Sequence, residues 1–149
     1  MQECLFCKIV RNEIQTKKVY ENNHAIAFLD INPSAYGHTV IIPKKHFKSL
    51  TDMPPEETGK LFETVAMLAG KIKNIVKADG FNMGINDNRA AGQVVDHVHV
   101  HIIPRWANDA GGAIQSIVRA HIEKEKLDEL AVKMKSALED KSEGPKWNW

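Results

Sequence analysis

His97-Val98-His99-Val100-His101-Ile102-Ile103-Pro104 alternates imidazole with aliphatic side chains before it meets a proline. Successive side chains of a strand point to opposite faces. The spacing predicts a strand over His97–Ile103, with His97, His99 and His101 on one face and Val98, Val100 and Ile102 on the other. The aliphatic face must pack on a core, which leaves the imidazoles toward a cleft or solvent. Neighbouring imidazoles would stand about 6.6 Å apart, two residues of strand rise, and could touch one extended ligand.

Outward from this stretch the same patterning gives the rest of the fold. Lys18–Tyr20 and Ala25–Leu29 read as strands across the turn Glu21-Asn22-Asn23. His38–Ile42 is a third, entered through Pro33-Ser34-Ala35-Tyr36-Gly37 and stopped by Pro43, and Phe81–Asn86 is a fourth. Between them the period changes. Leu61, Val65, Leu68, Ile72 and Ile75 recur at helical spacing, with Phe62, Ala66, Ala69 and Val76 widening the stripe. Pro54 and Pro55 precede this helix, and Glu56 and Glu57 suit its positive end. Leu5–Arg11 is a short helical turn, and Leu127, Leu130, Met134 and Leu138 mark a second amphipathic helix. Strands at both ends of one long helix, without regular alternation, predict an α+β fold with an antiparallel sheet of about five strands and a C-terminal helix. One domain is expected over 1–140, with 141–149 as a tail.

Bulk properties bound the function. Hydrophobic residues make up 43% and charged residues 26%, the balance of an ordinary globular protein. Twenty basic against nineteen acidic side chains leave a net charge of +1. That argues against a nucleic-acid binder working through a strong positive field, while permitting a small anionic ligand. No apolar run reaches the roughly 18 residues that span a bilayer, so no membrane partner is expected. The start, Met1-Gln2-Glu3-Cys4, lacks the basic and apolar stretches of a signal peptide, and a cytoplasmic location is the expectation. In a reducing compartment, Cys4 and Cys7 as a C-x-x-C pair suggest metal ligation or redox chemistry before a disulfide.

Three readings compete for the histidines. They could form a solvated strand face, grip zinc with a ligand from a neighbouring strand, or perform nucleophilic and acid–base chemistry near neutral pH. The polar connection Asn86-Asp87-Asn88-Arg89-Ala90-Ala91-Gly92-Gln93 lies directly upstream. Such a loop can turn backbone N–H groups inward as an anion cradle, which favours phosphoryl chemistry.

The run Gly92-Gln93-Val94-Val95-Asp96-His97-Val98-His99-Val100-His101-Ile102-Ile103-Pro104-Arg105 resembles the histidine triad family. Companion segments stand in the expected order: Cys4–Val10, Ala27–Ile31 and Gly37–His46. The resemblance spans Cys4 to about Trp106. It implies a nucleotide hydrolase or transferase working through a covalent nucleotidyl-histidine, on purine nucleoside phosphoramidates or related adenylates. By position, His99 is the implied nucleophile, held by a backbone carbonyl on its other ring nitrogen. His101 assists at the phosphate or leaving group, and His38 supports the pair. Asn86 and the backbone around Gly92 and Gln93 are the implied phosphate donors. Asp30 takes the ribose hydroxyls, and Phe6, Ile9, Phe28, Leu29 and Ile31 are the implied purine walls.

Relatives with a C-x-x-C pair imply a structural zinc on Cys4, Cys7, His46 and His97, a closed Cys₂His₂ set. A homodimer is also implied. Two positions depart from the family pattern. Val94 stands where many relatives carry Ser or Thr, and Asp96 precedes the triad where bulkier residues are common. Two alternatives follow: a dinucleoside polyphosphate hydrolase, or a nucleotide-binding interaction protein with residual activity.

Overall fold

The computed structural model describes residues 4–120 and 122–139. The chain divides into two compact units, Met1–Gly111 and Gly112–Trp149. The first holds the sheet and every site residue named above. In the second, α3 (Leu127–Glu139) matches the expected C-terminal helix, and its apolar residues Leu127, Leu130, Met134 and Leu138 are all exposed. The tail expected over 141–149 lies outside the described residues. Among the described residues no helix is long and apolar enough to cross a membrane.

The first unit is α+β, as the patterning predicts. Its strands β1 (Lys18–Glu21), β2 (Ala25–Leu29), β3 (Thr39–Pro43), β4 (Gly80–Gly84) and β5 (Val100–Arg105) form one antiparallel sheet in the order β1-β2-β3-β5-β4. Helix α2 (Pro55–Ile75) buries Leu61, Val65, Leu68, Ala69 and Ile72 against Ala25, Ala27, Ile41, Val100 and Ile102. The short α1 (Leu5–Val10) covers the other face, where Phe6 and Ile9 meet Ile26, Phe28, Val40 and Ile42. With both faces covered, β2 reads as a continuous apolar run rather than an alternation.

Several boundaries differ from the expectation, and for local reasons. The last strand begins at Val100, not His97, and runs through Pro104, which pairs with Phe81. Upstream of it the neighbouring β3 ends at Pro43, which has no N–H to extend the ladder. The Val98 N–H bonds instead to the Phe47 carbonyl in the following loop. Pro55 is the first residue of α2 rather than a flanking one. Ala66 and Ile75, read as part of the buried stripe, are exposed. The fourth strand stops at Gly84, leaving Ile85 and Asn86 to the loop.

The expectation of an open imidazole face also changes. Val98, Val100 and Ile102 do pack toward α2, but α1 closes over the opposite side. His97 is wholly buried and His99 nearly so, while His101 is partly exposed. The Phe6 ring stands edge-on to both, 5.8 Å from His97 and 5.2 Å from His99 between centroids.

Candidate active site

Strand register gathers the polar groups. Val40 lies opposite His101, and Phe28 opposite Val40, so His101 projects on the α1 face of the sheet. Two residues before Val40 on the same face stands His38, whose carbonyl accepts from the Asp30 N–H where β2 ends. The left-handed Gly37, at φ +84°, makes the turn that delivers His38, closed by the His38 N–H to the Ala35 carbonyl.

Hydrogen bonds then fix which nitrogen of each ring carries its proton. His99 Nδ1 lies 2.7 Å from the His97 carbonyl, so it donates there and leaves an unprotonated Nε2. The Ser34 N–H donates to His38 Nδ1 at 3.0 Å, which puts the His38 proton on Nε2. That Nε2–H donates to His101 Nδ1 at 2.9 Å, and His101 in turn carries its proton on Nε2. For His38 and His101 the neutral ring is favoured. Burial pushes His101 down from its ordinary 6.5 to about 4, reinforced by His99 and His38, with Asp30 opposing. Burial likewise lowers His38, against the same pull from Asp30.

A second cluster sits beyond His97. The ligand atoms of Cys4, Cys7, His46 and His97 lie within 4.8 Å of one another. Cys4 Sγ is 3.5 Å and Cys7 Sγ 3.7 Å from His97 Nδ1, and Cys7 Sγ is 3.3 Å from His46 Nδ1. On its far side His97 Nε2 donates to the Pro43 carbonyl at 2.9 Å, which turns the Nδ1 lone pair toward the thiols. Burial lowers His97 to about 4, keeping the ring neutral as a metal ligand must be. Two thiols and two imidazoles so arranged fit a tetrahedral zinc. Asp30, His38 and His101 also converge within 4.8 Å. They fit a metal poorly, because the Ser34 N–H on Nδ1 leaves His38 Nε2 protonated and without a lone pair.

The remaining expected residues divide. Phe6, Ile9 and Phe28 are core beneath the histidines. Leu29 alternates onto the other face of β2 from Phe28, and Ile31 stands 91% exposed. The expected backbone cradle is not open around Gly92 and Gln93. The Ala91 and Gln93 N–H groups bond to the Asn88 carbonyl and that of Gly92 to the Arg89 carbonyl, closing a 3₁₀ turn over Arg89–Ala91. The Gln93 side chain is buried and turned inward, donating to the Lys48 and Val95 carbonyls and accepting from the Asn88 N–H. Asp87 accepts from Ser49 Oγ and the Leu50 N–H, so two side chains tie this loop to the segment carrying His46. Neither brace has a local signature, since both span some forty residues. Asn86 remains beside Gly92, its amide nitrogen 3.8 Å from where a Cβ would stand. Val94 is 91% exposed, and Asp96 pairs with Lys48 at 3.2 Å.

The HIT domain family model matches residues 11–108. The chain belongs to the histidine triad family. Among its relatives in this family, adenylylsulfatase of Arabidopsis thaliana is 38% identical, over 91% of this chain and 68% of that protein. Adenosine 5'-monophosphoramidase of Saccharomyces cerevisiae is 39% identical, over 91% of this chain and 83% of that one. A crystal structure of a zinc-bound histidine triad family protein from Mycobacterium smegmatis superposes with a TM-score of 0.71 at 34% identity, covering 91% and 97% of the two chains.

Proposed function

We propose that this protein is a nucleotide hydrolase that cleaves at the α-phosphorus of purine nucleoside phosphoramidates or related adenylates through a covalent bond to His99. One observation carries the reading: the His99 Nδ1–H is held by the His97 carbonyl, so Nε2 presents its lone pair without first losing a proton. The two relatives support the substrate class, because an adenylyl sulfate and an adenosine monophosphoramidate both carry their leaving group on the α-phosphorus.

In the first step, Nε2 of His99 bonds to phosphorus as the bond to the leaving group breaks. The leaving group keeps that electron pair and takes a proton from His101 Nε2, the His38–His101 pair having first taken one up from solvent. Water then attacks phosphorus, the nitrogen–phosphorus bond breaks back onto Nε2, and the proton released by water returns to the pair. The products are a nucleoside monophosphate and the protonated leaving group. Asn86 serves as a phosphate donor and Asp30 as the ribose acceptor in this reading. The closed turn at Gly92 and Gln93 gives those two residues a supporting part through the loop. A homodimer and a cytoplasmic location belong to the same reading.

Cys4, Cys7, His46 and His97 would hold zinc. A zinc closed by four protein ligands supplies cross-linking rather than an activated water, joining the start of the chain to the segment before the nucleophile. His97 thereby serves twice, its ring toward the metal cluster and its carbonyl toward His99.

Trapping tests the chemistry. Protein incubated with a labelled adenosine phosphoramidate and quenched should carry the nucleotide mass on the His99 peptide, and His99→Ala should carry none. Label on His97 or His101 would overturn the assignment.

A further inference from the structure

The Asp30 carboxylate stands at a fork. Its Oδ2 lies 3.6 Å from His38 Nε2 and 3.8 Å from His101 Nδ1, the two nitrogens that share a 2.9 Å hydrogen bond. Its Oδ1 accepts from the Asn32 N–H at 2.8 Å, which fixes the carboxylate plane. A ribose ligand alone would not need this placement against the buried His38 ring and the half-buried His101 ring.

Proton counting shows what the placement does. The Ser34 N–H occupies His38 Nδ1, so His38 can hold its proton only on Nε2. In the neutral pair that Nε2–H points at His101 Nδ1. When His101 takes a second proton, Nδ1 acquires a hydrogen, and two N–H groups face each other across the former bond. One of them must find another acceptor. Among the described residues, the titratable groups facing the pair are Asp30 from the end of β2 and His99 from the residue before β5, and His99 has given its Nδ1–H to the His97 carbonyl. Of these only the carboxylate carries negative charge, and its Oδ2 lies 3.6 and 3.8 Å from the two nitrogens.

We propose that Asp30, beyond holding the sugar, accepts the displaced N–H and so lets His101 carry the proton that the leaving group takes. This inference rests on the hydrolase reading above. The proton balance is closed: the pair takes one proton from solvent, His101 Nε2 gives its proton to the leaving group and leaves the His101 Nδ1–H on the Asp30 carboxylate, and Nε2 regains a proton from the attacking water. The direction of the electrostatics agrees, since among the described residues Asp30 favours the charged form of both rings.

The test uses Asp30→Asn, which keeps the shape and the acceptor for the Asn32 N–H while removing the charge. Two adenosine 5'-phosphoryl substrates are compared, one with an alkylamine leaving group that needs a proton and one with 4-nitrophenolate, which leaves without one. For the alkylamine, kcat should fall at least ~100-fold, within the range that general acid catalysis contributes, and the loss with 4-nitrophenolate should stay under ~3-fold. KM should rise for both, reporting the sugar contact. The alkaline limb of the alkylamine kcat profile should move to lower pH, because removing the carboxylate makes the pair a weaker base. Equal losses of kcat for the two substrates, or a rise in KM alone in a variant that melts normally, would assign Asp30 to the sugar only and overturn the proposal. Wild-type protein that turns over neither substrate would instead overturn the hydrolase reading on which it rests.

Discussion

Gly37→Ala is the most quantitative probe of how the fold delivers His38. Gly37 sits at φ +84°, and a Cβ there would lie 2.8 Å from Cγ1 of Val76 and 3.5 Å from Cγ of Pro104. The left-handed conformation costs a non-glycine residue ~1–2 kcal/mol. The contact adds the cost of an overpacked site, ~1–3 kcal/mol, because the methyl belongs to a stiff β-branched side chain and Pro104 bounds the other side. Together they give ~2–5 kcal/mol, or a fall of roughly 5–15 °C in Tm for a chain of this size. Thermal unfolding by circular dichroism measures it, repeated in a Val76→Ala background. There the contact is gone and the backbone strain remains, so Gly37→Ala should cost only ~1–2 kcal/mol, a coupling that a double-mutant cycle resolves. A cost under ~0.5 kcal/mol in the wild-type background would refute the conformational argument. Equal costs in both backgrounds would refute the packing part. The same substitution should lower kcat in the molecules that stay folded, because His38 would move off its 2.9 Å bond to His101.

Two further outcomes follow from the clusters. Cys7→Ser should abolish stoichiometric zinc measured by elemental analysis and lower Tm, and a strong chelator should lower the Tm of the wild type toward that of the variant. Stability should also depend on pH in a defined window. His101 is held to about 4 in the folded chain against 6.5 when unfolded, so the unfolded state binds more protons between those values. Stability contributed by the neutral ring is therefore present above about 6.5 and lost as pH falls toward 4. Urea denaturation across that range should show the decline, and His101→Gln should make it shallower, leaving the part that His97 and His38, lowered in the same sense, contribute.

Much of the architecture was legible from local pattern. The alternation at His97–Ile102 and the helical spacing of Leu61, Val65, Leu68 and Ile72 reflect side-chain periods that a strand or helix imposes wherever it forms. Strand ends were less legible, because they depend on the neighbour: β5 starts at Val100 since Pro43 ends β3. The loop before the triad was the least legible. Its glycine and polar residues suit an open cradle, yet Gln93 turns inward to bond Lys48, a partner 45 positions away.

The histidines divide along the same line. Composition and spacing alone put three imidazoles on one face and a C-x-x-C pair at the start of the chain, because covalent order and the pleat settle both. Only the folded chain decides that they are unequal. His97 meets two thiols because α1 packs over the sheet, and His99 bonds the carbonyl of His97. His101 meets His38 because β3 and β5 pair in one register. A ring's tautomer and charge depend on the acceptor or donor a few ångströms away, and for His38 and His97 that group is placed by turns and strand ends whose geometry the pattern of side chains does not specify.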